Sequence, residues 1–128
     1  MEEFIRIQCT LSALNKFKQK TKLSIYHFRI LHGASVTSDG FITVQQIQKL
    51  NMFTGVSAHD MAKSAKHLIN EGYVVDPKCK VTPTTKLGVT QRGIELLNIY
   101  YNELSLLERN YKRLIALGLI DVSEVVLS

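Results

Sequence analysis

The sequence predicts a mostly α-helical domain that carries a small β-wing, and three features predict it. Apolar residues recur at three- and four-residue spacing near both ends of the chain. In the middle, two short helical stretches meet at a capped bend containing a glycine. The period then shortens to that of a small β-ribbon before the last long helical pattern begins.

Between Glu3 and Lys18, one helical stripe holds Phe4, Ile7, Leu11, Leu14 and Phe17. Ser24 has the chemistry of an N-cap, and Leu23 with Phe28 has the spacing of a hydrophobic staple. The second helix is expected from Ile25 to about His32, ending at Gly33, with Ala34–Gly40 as loop. Phe41-Ile42 is a strand stub. Thr43-Val44-Gln45-Gln46 fits a T-x-x-Q capping box, opening a third helix that buries Val44, Ile47 and Leu50 and breaks at Gly55.

Ser57-Ala58-His59-Asp60 is a second box, opening a helix to about Glu71 whose inward positions are Met61, Ala65 and Leu68; Gly72 stops it. A two-stranded ribbon is expected next. It comprises Tyr73-Val74-Val75, an irregular tip over Asp76–Lys80, a polar stretch interrupted by Pro83, and a return strand over Lys86–Val89. From Gln91 to Leu117 a seam of Ile94, Leu97, Tyr101, Leu104, Leu107, Tyr111, Leu114 and Ile115 predicts one helix of about 26 residues, ~39 Å long.

Length and composition suit one domain over residues 1–128, at 45% hydrophobic and 21% charged. No apolar run approaches the roughly 20 residues of a membrane span. The acids Glu2 and Glu3 stand where an export signal would be basic, so a cytoplasmic setting is expected. Cys9 and Cys79 form no CxxC pair, and no histidine lies at ligand spacing from either, so neither a disulfide framework nor a metal site is expected. No phosphate loop, nucleophile elbow or HExxH motif is present; an enzyme and a cofactor are not expected.

The formal net charge is +5, and its placement is informative. Lys16, Lys18, Lys20, Lys22 and Arg29 crowd residues 15–32 with no acid among them. Residues 43–90 carry Lys49, Lys63, Lys66, Lys78, Lys80 and Lys86 against Asp60, Glu71 and Asp76. Beyond Gln91 the two signs balance. Cationic charge thus gathers where a polyanion-binding surface would need it.

A helix end, a glycine turn and a capping serine over Leu50–Ser57 are how two helices meet in a helix-turn-helix. The runs Leu68-Ile69-Asn70-Glu71-Gly72-Tyr73-Val74 and Val89-Thr90-Gln91-Arg92-Gly93 bracket the ribbon. Here the chain resembles the MarR (multiple-antibiotic-resistance regulator) family of winged-helix repressors in element order over residues 5–117 and in motif over about residues 43–93.

The resemblance implies a winged helix-turn-helix over residues 41–90 and dimerisation helices over 1–20 and 91–117. Residues 57–71 would be the recognition helix in the major groove, and 73–90 the wing on the backbone. One departure stands out. The family's wing-tip arginine has no counterpart between Asp76 and Lys86, where Lys78, Lys80 and Lys86 offer point charges suited to phosphate and lack the planar fork. Peroxide-sensing members keep a reactive cysteine near the position of Cys9; a small buried apolar role is the plainer expectation.

With Met61, Ala65 and Leu68 inward, helical geometry turns His59, Asp60, Lys63, Lys66 and His67 outward. The expected DNA-contacting residues are Ser57, His59, Asp60, Lys63, Lys66, Lys78, Lys80 and Lys86. Lys63 can donate to guanine, and Asp60 can accept from a cytosine amine or cap the amide of Ser57. A ~39 Å helix overshoots so small a domain. Phe4, Ile7, Leu11, Leu14, Leu104, Leu107, Tyr111 and Leu114 are therefore expected to meet a second copy.

A homodimer would bind double-stranded DNA over a pseudo-palindromic operator, its recognition helices roughly 34 Å apart. A small-molecule effector is compatible with this reading, with no residue cluster pointing to it. Two alternatives stay open: a winged-helix module that binds another protein, and a replication or partition factor of a mobile element.

Overall fold

The computed structural model describes residues 2–50, 57–75 and 81–118. The predicted break at Gly55, the wing tip with Lys78, Cys79 and Lys80, and the last ten residues lie outside them. The elements are α1 (Glu2–Thr21), α2 (Ile25–Val36), β1 (Phe41–Ile42), α3 (Val44–Leu50), α4 (Ala58–Asn70), β2 (Val74–Val75), β3 (Leu87–Val89) and α5 (Gln91–Ala116). The fold is mostly helical, with a small three-stranded antiparallel sheet. No helix among the described residues is long and apolar enough to cross a membrane.

Local signals fix most element starts. Thr43 and Gln46 exchange the two bonds of a capping box, Gln46 N–H donating to Thr43 Oγ1 and Thr43 N–H to Gln46 Oε1. Ser57 Oγ accepts from the amide of Asp60 at 3.3 Å, and Thr90 Oγ1 accepts from that of Gly93 at 3.2 Å. The core lies where α2, α4 and the first half of α5 converge. Phe17, Ile30, Leu31, Met61, Leu68, Leu87 and Leu97 are fully buried there, and Ala65 with them.

The structure corrects two expectations. First, α2 does not stop at Gly33 but continues to Val36, so Ala34–Val36 is helix and not loop. Gly33 is there for closeness, since a Cβ would collide with the side chain of Ile42. Second, the ribbon has three strands, in the order β1-β3-β2. β3 has two edges to offer: Phe41 and Ile42 pair with Gly88 and Leu87 on one, and Val74 and Val75 with Val89 and Gly88 on the other. Gly88 leaves room for the Phe41 ring, which a Cβ would approach to 2.9 Å.

The α1 stripe is divided between the core and the surface. Cys9, Ala13 and Phe17 are buried and Leu14 is half-buried, whereas Phe4, Ile7 and Leu11 are 39%, 49% and 52% exposed. On α5, Tyr100 joins Leu97 in the core while Ile94 and Tyr101 remain exposed. α1 packs along α5. Small residues at positions 9 and 13 permit a close approach between helices that larger ones would hold apart.

One corner joins α4, the sheet and α5. α4 ends in a Schellman motif, with Gly72 at φ +78° donating to Ile69 O and Tyr73 N–H donating to Leu68 O at 2.9 Å. Thr90 then closes the far end of the ribbon onto it. Its hydroxyl donates to Gly72 O at 2.7 Å and its amide to Tyr73 O at 3.0 Å. Gly93, in the first turn of α5, is buried against Tyr73 O, Val89 and Leu31, so an added Cβ has no room.

Gly93→Ala is therefore expected to destabilise the fold by about 1–3 kcal/mol through overpacking. Urea denaturation followed by circular dichroism checks this, and an unchanged midpoint contradicts the packing described at this corner.

Candidate nucleic-acid interface

α4 has one face in the core and the opposite face in solvent. Met61, Ser64, Ala65 and Leu68 are buried. His59, Asp60, Lys63, Lys66 and His67 are exposed, as helical spacing predicted. Ser57 is half-buried and serves as N-cap. Only half of the predicted box forms among the described residues: Ser57 Oγ receives the Asp60 amide, and the Asp60 carboxylate remains open to solvent.

The outward residues divide by angle around the helix. At 100° per residue His59, Lys63 and Lys66 all lie within about 30° of the direction opposite the core face. Asp60 and His67 turn toward α2, and they and Lys63 share a groove of about 350 Å³ with Lys22, Leu23, Tyr26, His27 and Ser64. Lys22 belongs to the cationic run already noted over residues 15–32, whereas Tyr26 and His27 carried no DNA-binding expectation. Nothing in their own spacing pairs them with a helix some 35 positions later.

His27 and His67 meet edge to face in that groove, ring centroids 5.1 Å apart. The ring of His27 also completes the N-terminus of α2. Its Nδ1 accepts the amide of Ser24 at 3.0 Å and lies 2.8 Å from Ser24 Oγ. Nδ1 must then be unprotonated, which leaves the proton of the neutral ring on Nε2. Burial, and secondarily the neighbouring His67, push His27 down to about 4.

On the wing side, Lys86 is exposed just before β3. Arg92, not singled out from sequence, stacks over the ring of Tyr73 with its guanidinium 5.1 Å from the centroid. Lys78 and Lys80 fall outside the described residues. At the other end of the molecule, Leu14 and Leu104 pack against the core, and Leu107, Tyr111 and Leu114 are half-buried. Phe4, Ile7 and Leu11 on α1 and Leu106 and Leu117 at the end of α5 are exposed. Cys9 is buried among these helices; its burial, with the Glu108 carboxylate adding to it, pushes the thiol up, away from the reactive thiolate.

No family profile and no curated protein matches this sequence. Solved structures do. A MarR family transcriptional regulator from Streptomyces coelicolor, Sco5413, superposes with a TM-score of 0.61 at 18% identity, over 92% of this chain and 76% of that one. MepR, a transcription regulator of the Staphylococcus aureus multidrug efflux pump MepA, gives 0.61 at 14% identity, over 98% and 85%. The transcriptional regulator Tm0710 from Thermotoga maritima gives 0.60 at 18%, over 98% and 85%.

The fold is MarR-like. In this MarR-like fold α3 precedes α4, and the antiparallel strands β2 and β3 follow it.

The imidazole in the α2 cap has a measurable consequence. Between its ordinary 6.5 and the folded value of about 4, the unfolded chain takes up a proton that the folded chain refuses. Stability is expected to be full above pH 6.5 and to decline as the pH falls toward 4. His27→Gln keeps an acceptor for the Ser24 amide, the capping-box arrangement, and removes the titration. Thermal melts across this range should show a shallower slope in the variant, with the remainder due to His32, which burial also lowers. Equal slopes would rule His27 out as the source.

Proposed function

We propose that this chain binds double-stranded DNA as a homodimeric transcription regulator, with α4 in the major groove and the β2–β3 wing on the backbone. The observation that carries this reading is the outward face of α4. Lys63, Lys66, His59 and His67 stand there against the carboxylate of Asp60, and all of them are exposed. Such a face at the front of a MarR-like fold suits a polyanion whose groove admits a helix.

His59, Asp60 and Lys63 lie in the first half of α4, the part of a recognition helix nearest the base edges and the phosphates that flank them. Lys66, farther along, and Lys86, at the root of the wing, suit phosphates. Lys78 and Lys80 belong to the wing in this reading. Ser57 holds the start of α4, so its contribution is to orient the helix as much as to touch DNA.

The exposed apolar side chains of α1 and α5 support dimerisation. Phe4, Ile7, Leu11, Leu106 and Leu117 are large and solvent-facing. After Tyr100, no described residue of α5 is fully buried. A second copy packing on these helices would remove that surface from water and set two α4 helices on one face of the duplex.

Affinity for a genomic operator fragment is expected to fall steeply with salt, with a log–log slope of about −0.9 for each phosphate neutralised. Lys63→Ala should weaken binding by on the order of 1–3 kcal/mol. Binding without salt dependence, or to no DNA fragment at all, would favour a protein partner. In light scattering the particle should have about twice the 14.5 kDa chain mass; a monomer at micromolar concentration contradicts the dimer.

A further inference from the structure

We propose that the groove between α2 and α4 is a phosphodiester site, where Lys22 and Lys63 together hold a DNA backbone phosphate at the wall of the major groove. This rests on the DNA-binding reading above and adds a contact from a different part of the chain.

Three observations lead to it. The groove opens beside the outward face of α4, and two of its lining residues are exposed lysines from separate elements, Lys22 after α1 and Lys63 on α4. Among the described residues neither lysine pairs with a carboxylate. Asp60 is the only acid lining the groove among the described residues, so the two lysines leave it net cationic.

The backbone at Lys22 points the same way. Lys22 has φ +61°, in the left-handed region, and its amide donates to Lys18 O at the end of α1. That is the C′ position of a helix, where glycine is the usual occupant because it has no Cβ to strain. A lysine there bears a conformational cost that glycine would avoid, and gains a cation beside α4 that glycine would not supply.

The chemistry of the lining favours phosphate over a base edge. Lysine ammonium groups are compact point charges without the planar fork that reads guanine bidentately, and the hydroxyl of Tyr26 adds a donor suited to a phosphate oxygen. His67 also lines the groove, its ring edge to face with that of His27. Lys22 also lies off α4 itself, flanking the helix as the sugar–phosphate strand flanks the groove floor.

The test measures binding of a labelled mixed-sequence duplex by fluorescence anisotropy across a salt series. The proteins are wild type, Lys22→Gln, Lys22→Gly, Lys63→Ala and Lys112→Gln, the last removing an exposed lysine from α5. Both Lys22 variants should bind several-fold more weakly at low salt, with the log–log slope reduced in magnitude by about 0.9, one phosphate contact. Lys112→Gln should match wild type. Lys22→Gly should melt at or above the wild-type temperature, which separates lost contact from lost fold.

If Lys22→Gln keeps the wild-type slope while Lys63→Ala still weakens binding, the groove is no phosphate site and the DNA reading survives. Failure of the wild type to bind any duplex removes the DNA reading itself, and this proposal with it. A third arm titrates inorganic phosphate and follows the imidazole resonances of His27 and His67. Saturation abolished by Lys22→Gln, with duplex affinity unaffected, would assign the groove to a free phosphate compound and overturn the proposal.

Discussion

The arrangement of this chain turns on the hydroxyl of Thr90. It donates to the carbonyl of Gly72 at one end of the wing while accepting the Gly93 amide at the start of α5. One side chain thereby ties the C-terminus of α4, the two roots of the ribbon and the first turn of α5. Gly72 supplies the left-handed turn that releases α4, and Gly93 supplies the clearance that lets α5 lie on Tyr73. With those three residues in place, the direction of α4 relative to α5 is set by hydrogen bonds and contact, and the exposed face of α4 is held forward.

Most of this was legible in the sequence because the signals are local. Caps at Thr43, Ser57 and Thr90 satisfy amides within three residues, and the inward set Met61, Ala65 and Leu68 follows from helical period alone. What escaped is non-local. Gly33 looked like a terminator, yet its role is set by Ile42 across a turn. β1 looked like an isolated stub until β3 presented a second edge. The stripe on α1 was chosen by side-chain size, whereas the buried face uses Cys9 and Ala13 because the neighbouring helix approaches closely.

The candidate site shows the same division. The α4 half was readable from spacing, and the α2 half was not. Lys22 and His27 serve as the end of one helix and the cap of the next, and only the folded chain brings them beside Lys63 and His67. His27 carries two duties at once. It holds the Ser24 amide and abuts a residue of α4, so the geometry of the α2 start and the environment of the α4 face are coupled through one ring.

α5 is a single unbroken rod of 26 residues, fully buried at Gly93, Leu97 and Tyr100 over its first three turns and held beyond them by Leu104 at the edge of the core and by α1 alongside. At 1.5 Å per residue it extends ~39 Å, so a pivot of about 5° at the buried end moves the far end by about 3 Å. The linkage runs both ways. Whatever presses on the apolar tip of this lever is felt, geared down, at the Thr90 corner and hence in the tilt of α4.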